Sequence, residues 1–333
     1  MAGKKIIKLL LRVIVTAALL LWVFKQIDIL QFRHTLKLAR WDFLLAIWVT
    51  TITAYYINSI KMRLILKKQS CDVSVARLFG ASAITSLYSM FMPGPLSAGV
   101  KWYILKKYTS KGSNVFGAMA YNQFTEITAI IVLGLIAIII SNPAAIFSTD
   151  VNNTRLLGTA CIVILIIIFS GVFFLTSHTA VKIIRGLEFL LKFLPEKICN
   201  KTKEILQRIA VFKSVGCRFH FLIAIITIIA CLISTFLIYT FSAGAANINI
   251  PLSVFFWLPA IIFLLGKVPI SIANLGVREV TLAGFLSAYG VPTSSALLMS
   301  MIIFSADILM AAIGAVLQTA QAINLKKNAL SSK

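Results

Sequence analysis

The residues of this chain that could do chemistry are few, and they sit where apolar runs break. Residues 267–279 read Lys-Val-Pro-Ile-Ser-Ile-Ala-Asn-Leu-Gly-Val-Arg-Glu, which puts Pro269, Asn274, Gly276, Arg278 and Glu279 inside a hydrophobic stretch. Residues 92–101 do the same with Pro93, Gly94, Pro95, Ser97, Gly99 and Lys101. Each stretch has a proline, a short segment with a serine, then Gly-Val-cation and a renewed apolar run. Ionisable groups at membrane depth are costly and mark a binding site or a partner. A cation beside a restarted helix N-terminus suits an anion such as a lipid phosphate.

Three acids extend the set. Glu126 follows Asn122 by four residues, so the two share a helical face. Glu126 is an interhelical hydrogen-bonding partner or a pair to a basic residue, or else a cavity-lining carboxylate that pairs with Lys101 or Arg278. Asp307 lies inside the last apolar run near Ser300 and Ser305, as a structural partner or a proton-coupling acid. Glu279 either staples the break by a salt bridge to Arg278 or has its own partner, because adjacent residues point to different helix faces. The expected substrate-binding set is therefore Lys101, Asn122, Glu126, Asn274, Arg278 and Glu279. The expected helix breaks are Pro93, Gly94, Pro95, Gly99, Pro269 and Gly276.

The elements that must hold these residues are apolar helices. Hydrophobic residues make up 59% of the 333, charged residues 13%, and mean hydropathy is +0.95, the profile of a polytopic membrane protein. Several runs exceed the roughly 20 apolar residues that span a bilayer. The net charge of +22 would suggest nucleic acid in a soluble protein. Here the cations fall in loops, so they set topology and attract anionic headgroups, and no nucleic-acid partner is expected.

In order, spans are expected at 6–24, 42–66, 115–140, 156–176, 219–241 and 291–321. The first follows a basic start and lacks a small-residue cleavage site, so it reads as an uncleaved span. Lys61, Arg63, Lys67 and Lys68 at the end of the second are expected to snorkel to the cytoplasmic surface. Residues 78–107 are basic on both flanks and read as a re-entrant hairpin. Residues 252–289 must form a second, entered from the other side. The basic segment 178–218 reads as cytoplasmic amphipathic helix. The fold class is thus all-α: one integral-membrane domain over 1–333, about six full spans plus two oppositely oriented re-entrant hairpins, an inverted-repeat arrangement that puts substrate near the midplane. Both termini are expected in the cytoplasm.

Motifs for catalysis are missing. Five cysteines form no Cys-x-x-Cys pair and three histidines are far apart, so no metal, cofactor or catalytic residue is expected. Asp28 is the one acid in the first outer loop, which argues against a membrane glycosyltransferase.

The segment 274–279, with the apolar run, Tyr289-Gly290 and Ala296 that follow, resembles the C-terminal signature of the lysylphosphatidylglycerol synthase transmembrane family. Met92-Pro93-Gly94, Gly99 and Lys101 are similar to its other hallmark, with Lys101 where arginine is usual. Asn122 to Glu126 sits where the family often has an acid followed by arginine; here Ile127 follows. The resemblance implies a flippase-like membrane domain that moves a phospholipid or lipid-linked intermediate across the cytoplasmic membrane. It implies anionic membrane lipids as partners and a setting in cell-envelope synthesis. Lys333 lies just past the last span, so no synthase domain is expected. The alternatives are a membrane enzyme and a non-catalytic partner of an envelope-biosynthesis enzyme, in lipid-linked glycan or aminoacyl-lipid synthesis.

Overall fold

A computed structural model describes residues 39–92, 94–141, 211–267 and 274–331, together with Thr35 and Lys37. Eight helices carry these residues: α1 Asp42–Lys68, α2 Val75–Ser89, α3 Gly94–Thr109, α4 Gly112–Ser141, α5 Cys217–Ala245, α6 Val254–Lys267, α7 Val277–Ser287 and α8 Thr293–Ser331. Helices α1, α4, α5 and the part of α8 from Thr293 to Gln321 are long and apolar enough to cross a membrane. The protein is an all-α polytopic membrane protein. The expected spans at 6–24 and 156–176, Pro93, Pro269 and residues 178–210 lie outside the described residues.

Local sequence explains the element ends. Asp42 opens α1 and Lys67 and Lys68 close it, each charge favourable to the helix dipole. Ser74 caps α2 by accepting from Arg77 N. After Thr109, Ser110 turns the chain at φ 54–57° like Ser70 before it, and Trp102 Nε1 donates to Gly112 O at 2.8 Å. Helix α5 loosens into a π turn at Leu232–Leu237, and α6 carries Pro259.

The first break falls earlier than its motif suggests. The chain turns at Met90–Met92, then Gly94 and Pro95 open α3, where a proline costs no helical hydrogen bond. Gly99 is helical with open space beside it, so it is not a break. Gly276 is one: it stands at φ 84° before α7. Cys217 and Arg218, expected to end the cytoplasmic segment, already belong to α5.

Helices α1 and α5 are antiparallel, since Arg40 N bonds Ala245 O at one end and Lys68 lies over Phe219 at the other. The α2–α3 hairpin starts from the Lys68 face, where Lys111 Nζ reaches Ser70 O. The α6–α7 hairpin starts from the Arg40 face, where Ala39, Ala245, Ile248 and Leu286 share one apolar cluster. The two hairpins therefore enter from opposite sides, as expected.

Packing follows an inverted repeat in which α1–α4 correspond to α5–α8. Helix α2 packs on α8 and α3 on α4; in the other half α6 packs on α4 and α7 on α8. The tightest crossings repeat this exchange. A Cβ added at Gly314 would clash with Ala83 O, between α8 and α2. One added at Gly134 would lie 2.6 Å from Ala260 Cβ, between α4 and α6. Small residues at such crossings let helix backbones approach where no hydrophobic driving force separates helix from lipid.

Candidate lipid-headgroup cavities

Each hairpin brings its cation to a cavity inside the bundle. The first cavity, about 590 Å³, is lined by Ser97, Ala98 and Lys101 of α3, Asn122, Gln123 and Glu126 of α4, and polar residues of α1 and α2. The second, about 410 Å³, is lined by Asn274 before α7, Arg278 of α7, Asp307 of α8, and Ser234 and Thr235 at the π turn of α5. Tyr55, Asn58 and Glu126 line both, so the two cavities adjoin across one polar partition. Gly266, at the end of α6, lines the first, so both hairpins contribute to it.

The inverted repeat places equivalent chemistry in each half. Glu126 lies fourteen residues after Gly112 and Asp307 fourteen after Thr293, so corresponding spans carry an acid at the same depth. Lys101 and Arg278 each end a Gly-Val-cation triplet on the second limb of a hairpin. Ser97 and Asn274 each stand four residues before that cation, and each lines its cavity.

Their partners differ. Glu126 pairs with neither Lys101 nor Arg278. Lys61 Nζ reaches its Oε1 at 3.0 Å, and Asn122 Nδ2 donates to the same oxygen at 3.0 Å, as the four-residue spacing allows. Lys61 does not snorkel: its side chain is 0% exposed, against 24% for Glu126. Lys101 lines the same cavity, and among the described residues no carboxylate lies within 4.0 Å of it.

The second half is more tightly braced. Glu279 Oε2 accepts from Gly276 N at 2.6 Å and satisfies a donor at the start of α7. Its Oε1 accepts from Ser300 Oγ at 2.6 Å and from Arg278 Nη2 at 3.2 Å. Arg278 Nε donates to Ser300 Oγ at 2.7 Å, closing the ring onto α8. Arg278 and Glu279 thus staple the break together, and each keeps a partner of its own as well, Asp307 for Arg278 and Gly276 N for Glu279. Asp307 approaches Arg278 Nη1 at 3.5 Å and leaves 53% of its side chain open, midway along the α8 span Thr293–Gln321.

Unpartnered polar atoms show what the cavities can hold. Gln123 Nε2, a donor, lines the first beside Lys101, which suits an anion, and the acceptors Asn58 Oδ1 and Asn122 Oδ1 in the same cavity suit a donor on the same ligand. Asn58 Oδ1 and Asn274 Oδ1, both acceptors, line the second beside Asp307, which suits a donor or proton. Lys61, Tyr55 and Asn58 were the residues that motif reading passed over. Their signal was present: Tyr55 and Asn58 stand at helical spacing with Lys61 three residues on, polar groups inside an apolar span. Among the described residues no group of three His, Cys, Asp or Glu side chains could hold a metal.

No curated protein and no solved structure matches the chain. The sequence model described as "Lysylphosphatidylglycerol synthase TM region" matches residues 9–314, nearly the whole chain, and the protein belongs to that family.

Proposed function

We propose that the protein is a lipid flippase or transporter, moving a phospholipid or lipid-linked intermediate across the cytoplasmic membrane. The observation that carries this is the pair of adjoining cavities, each lined by the cation of one hairpin and sharing Tyr55, Asn58 and Glu126. A headgroup needs a polar route through a medium that leaves its charges unsolvated. The cavities supply that route while the acyl chains stay in lipid. Lys101, with Lys61 and Gln123 nearby, holds an anionic headgroup, and Asn122 and Glu126 orient it. Arg278, Glu279 and Asn274 fix the facing hairpin, against which the headgroup passes.

Orientation follows from charge. Lys67, Lys68, Arg77, Lys106, Lys107 and Lys111 are exposed on the Lys68 face, whereas on the other Arg40 is paired with Asp42 and 246–253 and 288–292 carry no charge. The positive-inside bias puts the Lys68 face, and the end of α8, in the cytoplasm.

The test is dithionite quenching of a fluorescent anionic phospholipid in proteoliposomes. Wild-type protein exposes inner-leaflet lipid faster than protein-free vesicles, and Lys101→Ala lowers that rate at least about tenfold, the loss of about 1.4 kcal/mol of headgroup binding. Equal rates for wild type and empty vesicles would refute transport. Equal rates for wild type and Lys101→Ala would refute the residue assignment.

A further inference from the structure

The charges around the two cavities balance only when they are taken together. In the first, Lys61 and Lys101 face Glu126, one positive charge in excess. In the second, Arg278 is already met by Glu279, so Asp307 is a carboxylate in excess. The six groups sum to zero. An anionic headgroup arriving at Lys101 makes the interior one charge negative, in a medium where that is costly.

The place to restore neutrality is Asp307. It lies midway along the α8 span, its contact to Arg278 is 3.5 Å, and about half its side chain is open where it lines the second cavity. The acceptors Asn58 Oδ1 and Asn274 Oδ1 line that cavity without partners and can receive an acid O–H, directly or through water. A metal cation would sit beside the Arg278 guanidinium and be repelled, whereas a proton removes the excess charge on the carboxylate itself. The other groups facing Asp307 are committed or apolar in bulk. Helix α7 presents Arg278 and Glu279, bound to Ser300; α5 presents Tyr239 and Cys231; α1 presents Tyr55; α4 presents Glu126, held by Lys61; and Tyr88 of α2 accepts from Gln318.

We propose that Asp307 carries a coupling proton, taken up as an anionic headgroup binds at Lys101, so that lipid and proton cross together and no net charge moves. The step makes one O–H bond on the carboxylate from hydronium at one face and breaks it to water at the other. The linkage is reciprocal: bound lipid favours the protonated acid, and the protonated acid favours bound lipid. The coupling rests on the lipid-transport reading; proton binding at Asp307 does not.

The experiment has two arms on the purified full chain. Infrared difference spectra between alkaline and acidic buffer show a protonated-carboxyl band in wild type that is missing in Asp307→Asn and retained, shifted, in Asp307→Glu. In proteoliposomes with fluorescent phosphatidylglycerol, a gradient of one pH unit shifts the steady-state lipid distribution toward the alkaline side by up to about tenfold for one proton per lipid. Asp307→Glu keeps that shift. A band unchanged in Asp307→Asn overturns proton binding at this residue. Lipid movement that ignores the gradient overturns the coupling. If no lipid moves at all, the coupling falls with the transport reading, and the infrared arm alone decides the role of Asp307.

Discussion

Breaking the Lys61–Glu126 pair should be unequal from its two sides. Replacing Glu126 by glutamine strands the Lys61 ammonium, whose side chain is 0% exposed and whose ion-pair partner is Glu126 Oε1 at 3.0 Å. An uncompensated buried charge costs about 3–5 kcal/mol. Replacing Lys61 by methionine instead leaves Glu126, which keeps the Asn122 hydrogen bond, is 24% exposed and lines the cavity with Lys101. Its loss should be smaller, about 1–3 kcal/mol, the penalty of one unsatisfied polar group. The double variant, Lys61→Met with Glu126→Gln, removes both charges and should recover most of the loss, because apolar replacement of a buried pair is often neutral. The assay is reversible denaturant unfolding in micelles, read by tryptophan fluorescence and completed as a double-mutant cycle. Equal losses for the two single variants would refute the assignment of different solvation to the two partners. A double variant less stable than either single one would refute the pairing itself.

The remaining predictions concern backbone and packing. Gly314→Ala drives a methyl into the Ala83 backbone and should destabilise by about 1–3 kcal/mol in the same unfolding assay, whereas Gly80→Ala, whose nearest neighbour is a Leu317 methyl at 3.7 Å, should be tolerated. Gly99→Ala should stabilise by about 0.5–1 kcal/mol, since the residue is helical with open space around it; a loss would restore it as a break. Gly276→Ala should cost about 1–3 kcal/mol, because an L-residue at φ 84° is strained. Ser300→Ala leaves Arg278 Nε without its partner and opens the ring at the break, and should cost about 1–3 kcal/mol in the same unfolding assay.

The spans were the easiest part of the fold to read. The stretches 42–66, 115–140 and 219–241 became α1, α4 and α5 within a few residues at each end, because long apolar runs admit no other membrane structure. The first hairpin was legible from charge on both flanks and a Pro-Gly interruption, the second from Pro269 and Gly276 within an apolar run and from the need to close the path. The place of the first turn was not, because Gly94, Pro95 and Gly99 suit a helix start and interior as well as a loop, whereas Gly276 broke the helix as its motif suggests. The Asn122–Glu126 bond followed from a four-residue spacing, whereas the Lys61–Glu126 pair joins residues 65 apart. Nothing local distinguishes a lysine that turns inward from one that snorkels. The acid-for-acid match of Glu126 and Asp307 was present as equal offsets within two spans, but it became visible only when packing showed which helices correspond.

The claim on which everything else depends is that two hairpins, rooted on opposite faces, meet inside the membrane. Asp72 lies in the connection into the first and is 74% exposed; Leu252 lies in the equivalent connection into the second and is 57% exposed. Single cysteines at these two positions, in a cysteine-free background, can be labelled with a membrane-impermeant maleimide in sealed right-side-out and inverted vesicles. The account predicts that Leu252→Cys labels in right-side-out vesicles and Asp72→Cys in inverted ones. Labelling of both from the same side would contradict it.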